Sequence, residues 1–165
     1  MPESTIVKTK RDGTLTISDN AAVNSFTVSF EAGDLSLTIP GPGVGLFLDR
    51  GIITSPPAIR YTDDAPISGT FSAYLRDFSD AAYSTLMEIL SQSGEVASTW
   101  VSTMGATGEV QTYTLTWTVE GTDHGDPTDH VCVLDHCAFT GSVSEGDPDS
   151  ISLSFTSYAL YPTLT

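Results

Sequence analysis

The sequence predicts a mainly β fold, an antiparallel β-sandwich or barrel with one flanking α-helix, on three observations. Apolar and polar residues alternate strictly along most of the chain, the pattern of strands with one buried face. The 14 Gly and 9 Pro are spread between these stretches as turns. One stretch alone carries helical spacing. With 165 residues, 39% of them hydrophobic, the chain fits a single domain over 1–165 with a full core, and it shows no internal repeat or low-complexity tract.

Taken in order, Leu15 and Ile17 alternate with Thr14, Thr16 and Ser18 after a turn at Asp12-Gly13, which predicts a hairpin with Ile6 and Val7. Phe26, Val28 and Phe30 alternate with Ser25, Thr27 and Ser29. Ala32-Gly33 then turns the chain into Leu35, Leu37 and Ile39, a second expected hairpin. From Pro40 to Pro66 the alternation stops, because Pro40, Pro42, Pro56 and Pro57 with Gly41, Gly43, Gly45 and Gly51 interrupt any continuous ladder. This excursion is too apolar for a solvated loop and too long for an ordinary connection, so an arm at about 40–66 that buries itself on another subunit is expected.

Ile67 to Arg76 alternates again and runs into the helix, where Tyr83, Leu86, Met87 and Leu90 fall at i, i+3, i+4 and i+7. Ser79 is the expected N-cap, with Asp80 in the first turn and Gly94 at the end. Tyr113, Leu115, Trp117 and Val119 alternate with four threonines, and two further strands are expected at about 131–143 and 150–161, separated by the turn Glu145-Gly146-Asp147-Pro148-Asp149.

The net charge of −15, from six Lys and Arg against 21 Asp and Glu, excludes ordinary nucleic-acid binding. All six basic residues lie in the first 76 positions, which carry a net −2. The remainder has no Lys or Arg and carries −13. Such unlike halves suit a head-to-tail assembly or a surface that must not hold a polyanion. Proteins of a saline cytoplasm share this bias, and a salt-dependent stability curve separates that origin from a functional one. No membrane-spanning run and no apolar h-region at the start are present, so a soluble chain made in the cytoplasm is expected. Cys132 and Cys137 sit in one expected strand, where they would point to opposite faces about 16 Å apart at roughly 3.3 Å per residue. Free buried thiols are expected rather than a bridge.

All three histidines and both cysteines lie between Asp123 and Cys137. Strand periodicity would place His130, Cys132 and His136 on one face, but His130 and His136 would stand about 20 Å apart at the strand rise, too far to share a zinc ion. The Asp123, Asp126 and Asp129 spacing lacks the EF-hand pattern, and Asp-Gly and Asp-Pro pairs make turns. No metal or other cofactor is expected. No nucleophile elbow, His-Glu-x-x-His, P-loop or Gly-x-Gly-x-x-Gly is present, so no enzyme activity is expected.

Two early hairpins, a long Pro- and Gly-rich excursion containing Leu48-Asp49-Arg50-Gly51, a strand Ser68–Phe78 entering a helix, and Gly146-Asp147-Pro148-Asp149 before Ile151-Ser152-Leu153-Ser154-Phe155 follow one another in an order that resembles the major tail tube proteins of long-tailed, siphovirus-like bacteriophages and related archaeal viruses. The resemblance covers nearly the whole chain. It implies a virion structural protein whose hexameric rings stack into a hollow tail tube for genome ejection. Its partners would be copies of itself and the tape measure, tail terminator and distal tail proteins, with DNA passing without specific binding and no membrane involved.

Six copies would carry a formal charge of −90 per ring, and an acidic lumen suits passage of DNA. On this reading Leu46, Phe47, Leu48, Arg50, Ile52 and Ile53 of the arm, with Lys8 and Arg11, contact neighbouring subunits and rings, while Glu31, Asp34, Glu120 and Asp123 face the lumen. The alternatives are a tube protein of a contractile injection or type VI secretion machine, and a β-sandwich binding or decoration module.

Overall fold

Alternation turns into strands throughout the computed structural model, which describes residues 13–20, 23–28, 34–47, 58–78, 84–104, 110–121 and 126–165. In chain order these form β1 (Thr14–Ser18), β2 (Ser25–Thr27), β3 (Ser36–Thr38), β4 (Val44–Phe47), β5 (Ala58–Tyr61), β6 (Ile67–Tyr74), α1 (Leu86–Ser91), α2 (Gly94–Thr99), β7 (Tyr113–Val119), β8 (His130–Ser144), β9 (Ser150–Ser157) and β10 (Thr163–Leu164). One antiparallel sheet runs β2-β1-β7-β8-β9-β6-β3, with β10 added to β8. β4 and β5 form a separate two-stranded ribbon.

The expected second hairpin is not formed by the described strands. β2 pairs with β1 and β3 pairs with β6, at opposite edges of the sheet. Alternation reports which face a strand buries but not which neighbour completes it, and the apolar rows of β1 and β6 supply the neighbours. Ile6, Val7, Phe30 and the Ala32-Gly33 turn lie outside the described residues; β1 finds its partners in β2 and β7. The connection from Val28 to Asp34 can span at most about 22 Å at 3.6 Å per residue. A flat sheet would separate its outer strands by about 29 Å at 4.8 Å per spacing. The sheet therefore curls around its core, as a barrel does.

Curling a long strand into two half-sheets requires a break of register, and β8 supplies it. β8 pairs with β7 from Val119↔His130 to Leu115↔Leu134, then resumes at Tyr113↔Cys137, so Asp135 and His136 together face Thr114. His136 takes φ +56° to fit. Three bonds hold the bulge: Thr114 Oγ1 donates to Asp135 Oδ1 (2.9 Å), Ser157 Oγ to the Asp135 carbonyl (2.7 Å) and the Tyr158 N–H to the His136 carbonyl (3.2 Å). A bulge that places two residues opposite one adds a single residue and so reverses the parity of everything after it. Cys132, Leu134 and Cys137 are consequently all buried, which corrects the expectation that the two cysteines face opposite ways, and both thiols are free.

The core is the apolar half of each alternation. Leu15, Ile17, Ile67, Phe71, Leu115, Ile151, Leu153 and Phe155 are essentially inaccessible. Phe71, Phe139 and Phe155 meet at centroid distances of 6.1–6.3 Å, and the chain of rings continues through Tyr113 to Trp100. Burial of such side chains contributes about 1.5–3 kcal/mol each. The helices close one side of this core with Leu86, Ile89 and Val96, and Tyr113 OH reaches the Ile89 carbonyl at 3.3 Å.

Two short helices replace the one expected. α1 starts at Leu86, with Thr85 rather than Ser79 as N-cap, and a capping box explains why. Glu88 N–H donates to Thr85 Oγ1 (3.3 Å) and Thr85 N–H donates to Glu88 Oε2 (3.1 Å). Ser79, Asp80 and Tyr83 lie outside the described residues. Gln92 ends α1 in the left-handed conformation, and Gly94, expected to close the helix, opens α2 instead at φ +59°. Glycine suits Gly94 because of its left-handed backbone angle, and a Cβ there would also push aside the capping Glu88 carboxylate.

Asp19 ties the end of β1 to the exit of α2. Its carboxylate accepts from Val23 and Asn24 N–H, from Asn24 Nδ2 and from Val101 N–H at 3.0–3.4 Å, and Asn24 Nδ2 also donates to the Thr99 carbonyl at 3.1 Å. Burial pushes the Asp19 carboxyl up, but the bonds from Asn24, Val101 and Val23 outweigh it and leave it below the ordinary 3.8. A carboxyl with a lowered folded pKa adds stability above the unfolded value and loses it as pH falls through the folded one. Replacing Asp19 by Ala should therefore cost about 2–3 kcal/mol at pH 7 in denaturant titrations, and the gap to the unsubstituted protein should narrow below about pH 4. A gap that stays constant down to pH 2 would contradict this role.

Candidate assembly surfaces

Within the excursion at 40–66, β4 and β5 pair as a two-stranded ribbon. Val44, Gly45, Leu46 and Phe47 pair with Tyr61, Arg60, Ile59 and Ala58. Its base is braced by Thr62 N–H donating to the Gly43 carbonyl and Gly43 N–H donating to Asp64 Oδ1, each at 2.8 Å. Gly43 is glycine because a Cβ there would lie 2.3 Å from the Asp63 carbonyl. Val44, Ile59 and Tyr61 are 63%, 75% and 84% exposed. A two-stranded ribbon with exposed apolar side chains is marginal by itself in water.

Of the residues expected at subunit contacts, Leu46 and Phe47 lie on β4. Leu48, Arg50, Ile52, Ile53, Lys8 and Arg11 lie outside the described residues. The returning strand, with Ile59 and Tyr61 flanking Arg60, was not among the expected contact residues. Its short alternation after Pro56-Pro57 is the signal that could have found it.

The outer half of the alternation assembles into a second surface. Successive registers across β3, β6, β9 and β8 align Thr38, Ser68, Thr156 and Ala138 in one row, and Ser36, Thr70, Ser154 and Thr140 in the next. Ser72, Ser152 and Ser142 form a third row, which Asp34 joins by accepting from Ser72 N–H at 3.1 Å. Tyr74, Ser150 and Ser144 complete the fourth.

Charge is almost absent from the strands: among those described, only Asp135 is acidic and only Arg60 is a Lys or Arg. Of the expected lumen acids, Asp34 is exposed on this face and Glu120 is half-buried just beyond β7; Glu31 and Asp123 lie outside the described residues. Both described acids of that set lie just outside strands, Asp34 ahead of β3 and Glu120 after β7.

Among the described residues, the histidine and cysteine cluster does not converge. His130 Nε2 lies 2.5 Å from Asp126 Oδ2 at the start of β8, whereas Cys132 and Cys137 point into the core. His136 sits in the bulge, off the face that periodicity assigned to it. Among the described residues no three His, Cys, Asp or Glu side chains gather into a group able to hold a metal ion.

An open cavity of about 330 Å³ between β2, the end of β6 and α1 is lined by Phe26, Tyr74, Leu75, Arg76, Thr85 and Leu86 among others. Burial, with Asp135 adding to it, pushes the Cys137 thiol up to about 12 against lowering bonds from Ser157 and Leu115, and burial also pushes Cys132 up. Both thiols should thus resist a chromogenic disulfide reagent at pH 8 and react fully in denaturant. Reaction of either in the native protein at the denatured rate would overturn their placement.

No protein-family model matches the chain, and no curated protein matches it in sequence. In fold it is similar to a chain of the cryo-EM structure of the anti-feeding prophage (AFP) baseplate, 6-fold symmetrised, with a TM-score of 0.57 at 10% identity. The likeness covers 99% of this chain and 97% of that one. At that identity it is a likeness of fold.

Proposed function

We propose that this protein is a non-enzymatic structural subunit of a phage-tail-like particle, a tail tube protein whose rings of six stack around an acidic lumen that delivers viral DNA. The observation that carries the reading is the end-to-end likeness of fold to a chain from a six-fold baseplate, in which neither chain has a substantial part left over. The surfaces agree with it. A ribbon with Val44, Ile59 and Tyr61 exposed gains a partner when it lies on the next copy, and Leu46, Phe47, Leu48, Arg50, Ile52 and Ile53 extend that contact. Lys8 and Arg11 complete it against the acidic remainder of a neighbour, a heterologous contact that closes a ring.

Glu31, Asp34, Glu120 and Asp123 are the acids that face the passage, where repulsion keeps DNA from being held. Tape measure, terminator and distal tail proteins are the further partners, and the virion tail is the location. A component of a contractile injection or secretion machine is the second reading, favoured by the neighbour being a baseplate chain.

Negative-stain microscopy of the purified protein across salt concentrations tests assembly. Hollow tubes or stacked rings are expected, and deletion of Val44–Ile53 should leave folded subunits that form neither. Subunits that remain monomeric at every salt concentration would overturn the tube reading. Tubes that persist after the deletion would overturn the role of the ribbon.

A further inference from the structure

Building on the tube reading above, we propose that the serine- and threonine-covered face of β3, β6, β9 and the second half of β8 is the wall of the passage, and that the repelling carboxylates form a collar at one end of it. Apart from Asp34 in its third row, the wall itself carries no charge.

The registers put hydroxyl next to hydroxyl across all four strands, as in Ser36, Thr70, Ser154 and Thr140. In a chain of net charge −15, the described strands exclude acids almost completely, so the neutrality of this face is not a matter of average composition. Its chemistry is wrong for a dry contact between subunits. Interface cores are built from aromatic and large apolar side chains, and apart from Tyr74 at its edge this face offers nothing apolar larger than Ala138. Exposed apolar residues lie elsewhere, on the ribbon and along Tyr158, Leu160, Tyr161 and Leu164.

Its chemistry is equally wrong for holding a polyanion, because it presents no cation whose pairing with phosphate would release counterions. Serine and threonine hydroxyls exchange bonds with water readily, and short side chains leave a smooth surface.

The collar follows from topology. The β8–β9 turn carries Glu145, Asp147 and Asp149; Asp149 accepts through its carbonyl from Leu75 N–H, which brings the end of β6 with Asp77 to the same place. Asp34, at the head of β3 beside Ser72, stands at this end too. Arg76 is the one cation there among the described residues. Repeated around a ring, these acids make a band of negative potential at the edge of an otherwise neutral wall.

The test uses three single variants, Thr70→Cys, Ser142→Cys and Ser152→Cys, each at an exposed position, on a background where Cys132 and Cys137 are buried. Each is treated with N-ethylmaleimide and with a maleimide carried on a globular protein too wide to enter the passage. Free subunits should react with both reagents at one thiol per chain, Cys132 and Cys137 staying unlabelled, which shows that each variant folds with the face exposed. Assembled tubes should keep reacting with N-ethylmaleimide while labelling by the bulky reagent drops to the fraction at tube ends.

Labelling of tubes by both reagents would put the face on the outside, and labelling by neither would bury it between subunits. Either result overturns the wall while the tube reading stands. Absence of rings or tubes from the unsubstituted protein would instead overturn the tube reading and the wall with it.

Discussion

The bulge at Asp135–His136 is the constraint on which the rest of the structure depends. A 15-residue strand serves two half-sheets only if both of its halves turn their apolar side chains to one core. Without the extra residue, Cys137 and Phe139 would point outward, and Ala138 and Thr140 would meet the aromatic cluster of Phe71, Tyr113 and Phe155. Three hydrogen bonds from Thr114, Ser157 and Tyr158 hold the bulge. They come from strands on both sides, so β7 and β9 each lock it in place. The curl of the sheet, the single core and the continuity of the hydroxyl rows across β8 and β9 all follow from that one shift of parity.

A second organising feature is the separation of surface chemistries. Most carboxylates sit in turns and loops, with Glu88 and Glu95 on the helices and Asp135 in the bulge; hydroxyls cover the outer sheet face, and the ribbon and the stretch near the C-terminal strand carry exposed apolar side chains among others. A chain that merely needed solubility would gain it from charges anywhere on its surface. Keeping them almost entirely off the strands leaves broad sheet faces on which the next copy can be met by apolar contact, or left wet, with little like-charge repulsion across the contact. The proposed assembly uses each surface for the task its chemistry permits.

Much of the fold was legible because period-2 alternation is a local signal. Thr112–Val119 and Ile67–Tyr74 read directly as strands, and the apolar run Val44–Phe47 marked the excursion as more than a loop. Pairing was not legible: Phe26 and Leu37 belong to strands at opposite edges, and long-range burial chose their neighbours. The bulge was equally hidden, since Leu134-Asp135-His136-Cys137 carries no glycine to mark it. Thr85 and Glu88 did spell a capping box, yet Ser79 ahead of the apolar stripe competed with it. The hydroxyl face was present in the sequence as the polar half of every strand, and only the cross-strand registers show that these halves join into one surface.

Hydrogen exchange followed in free subunits and in assembled material bears most directly on the claim that copies meet through the ribbon. Amides of Val44–Phe47 and Ala58–Tyr61, held in the free subunit by a lone pair of strands, should exchange fast there and become strongly protected on assembly. Ribbon amides that exchange as fast in the assembled state as in free subunits, with new protection confined to other segments, would contradict it.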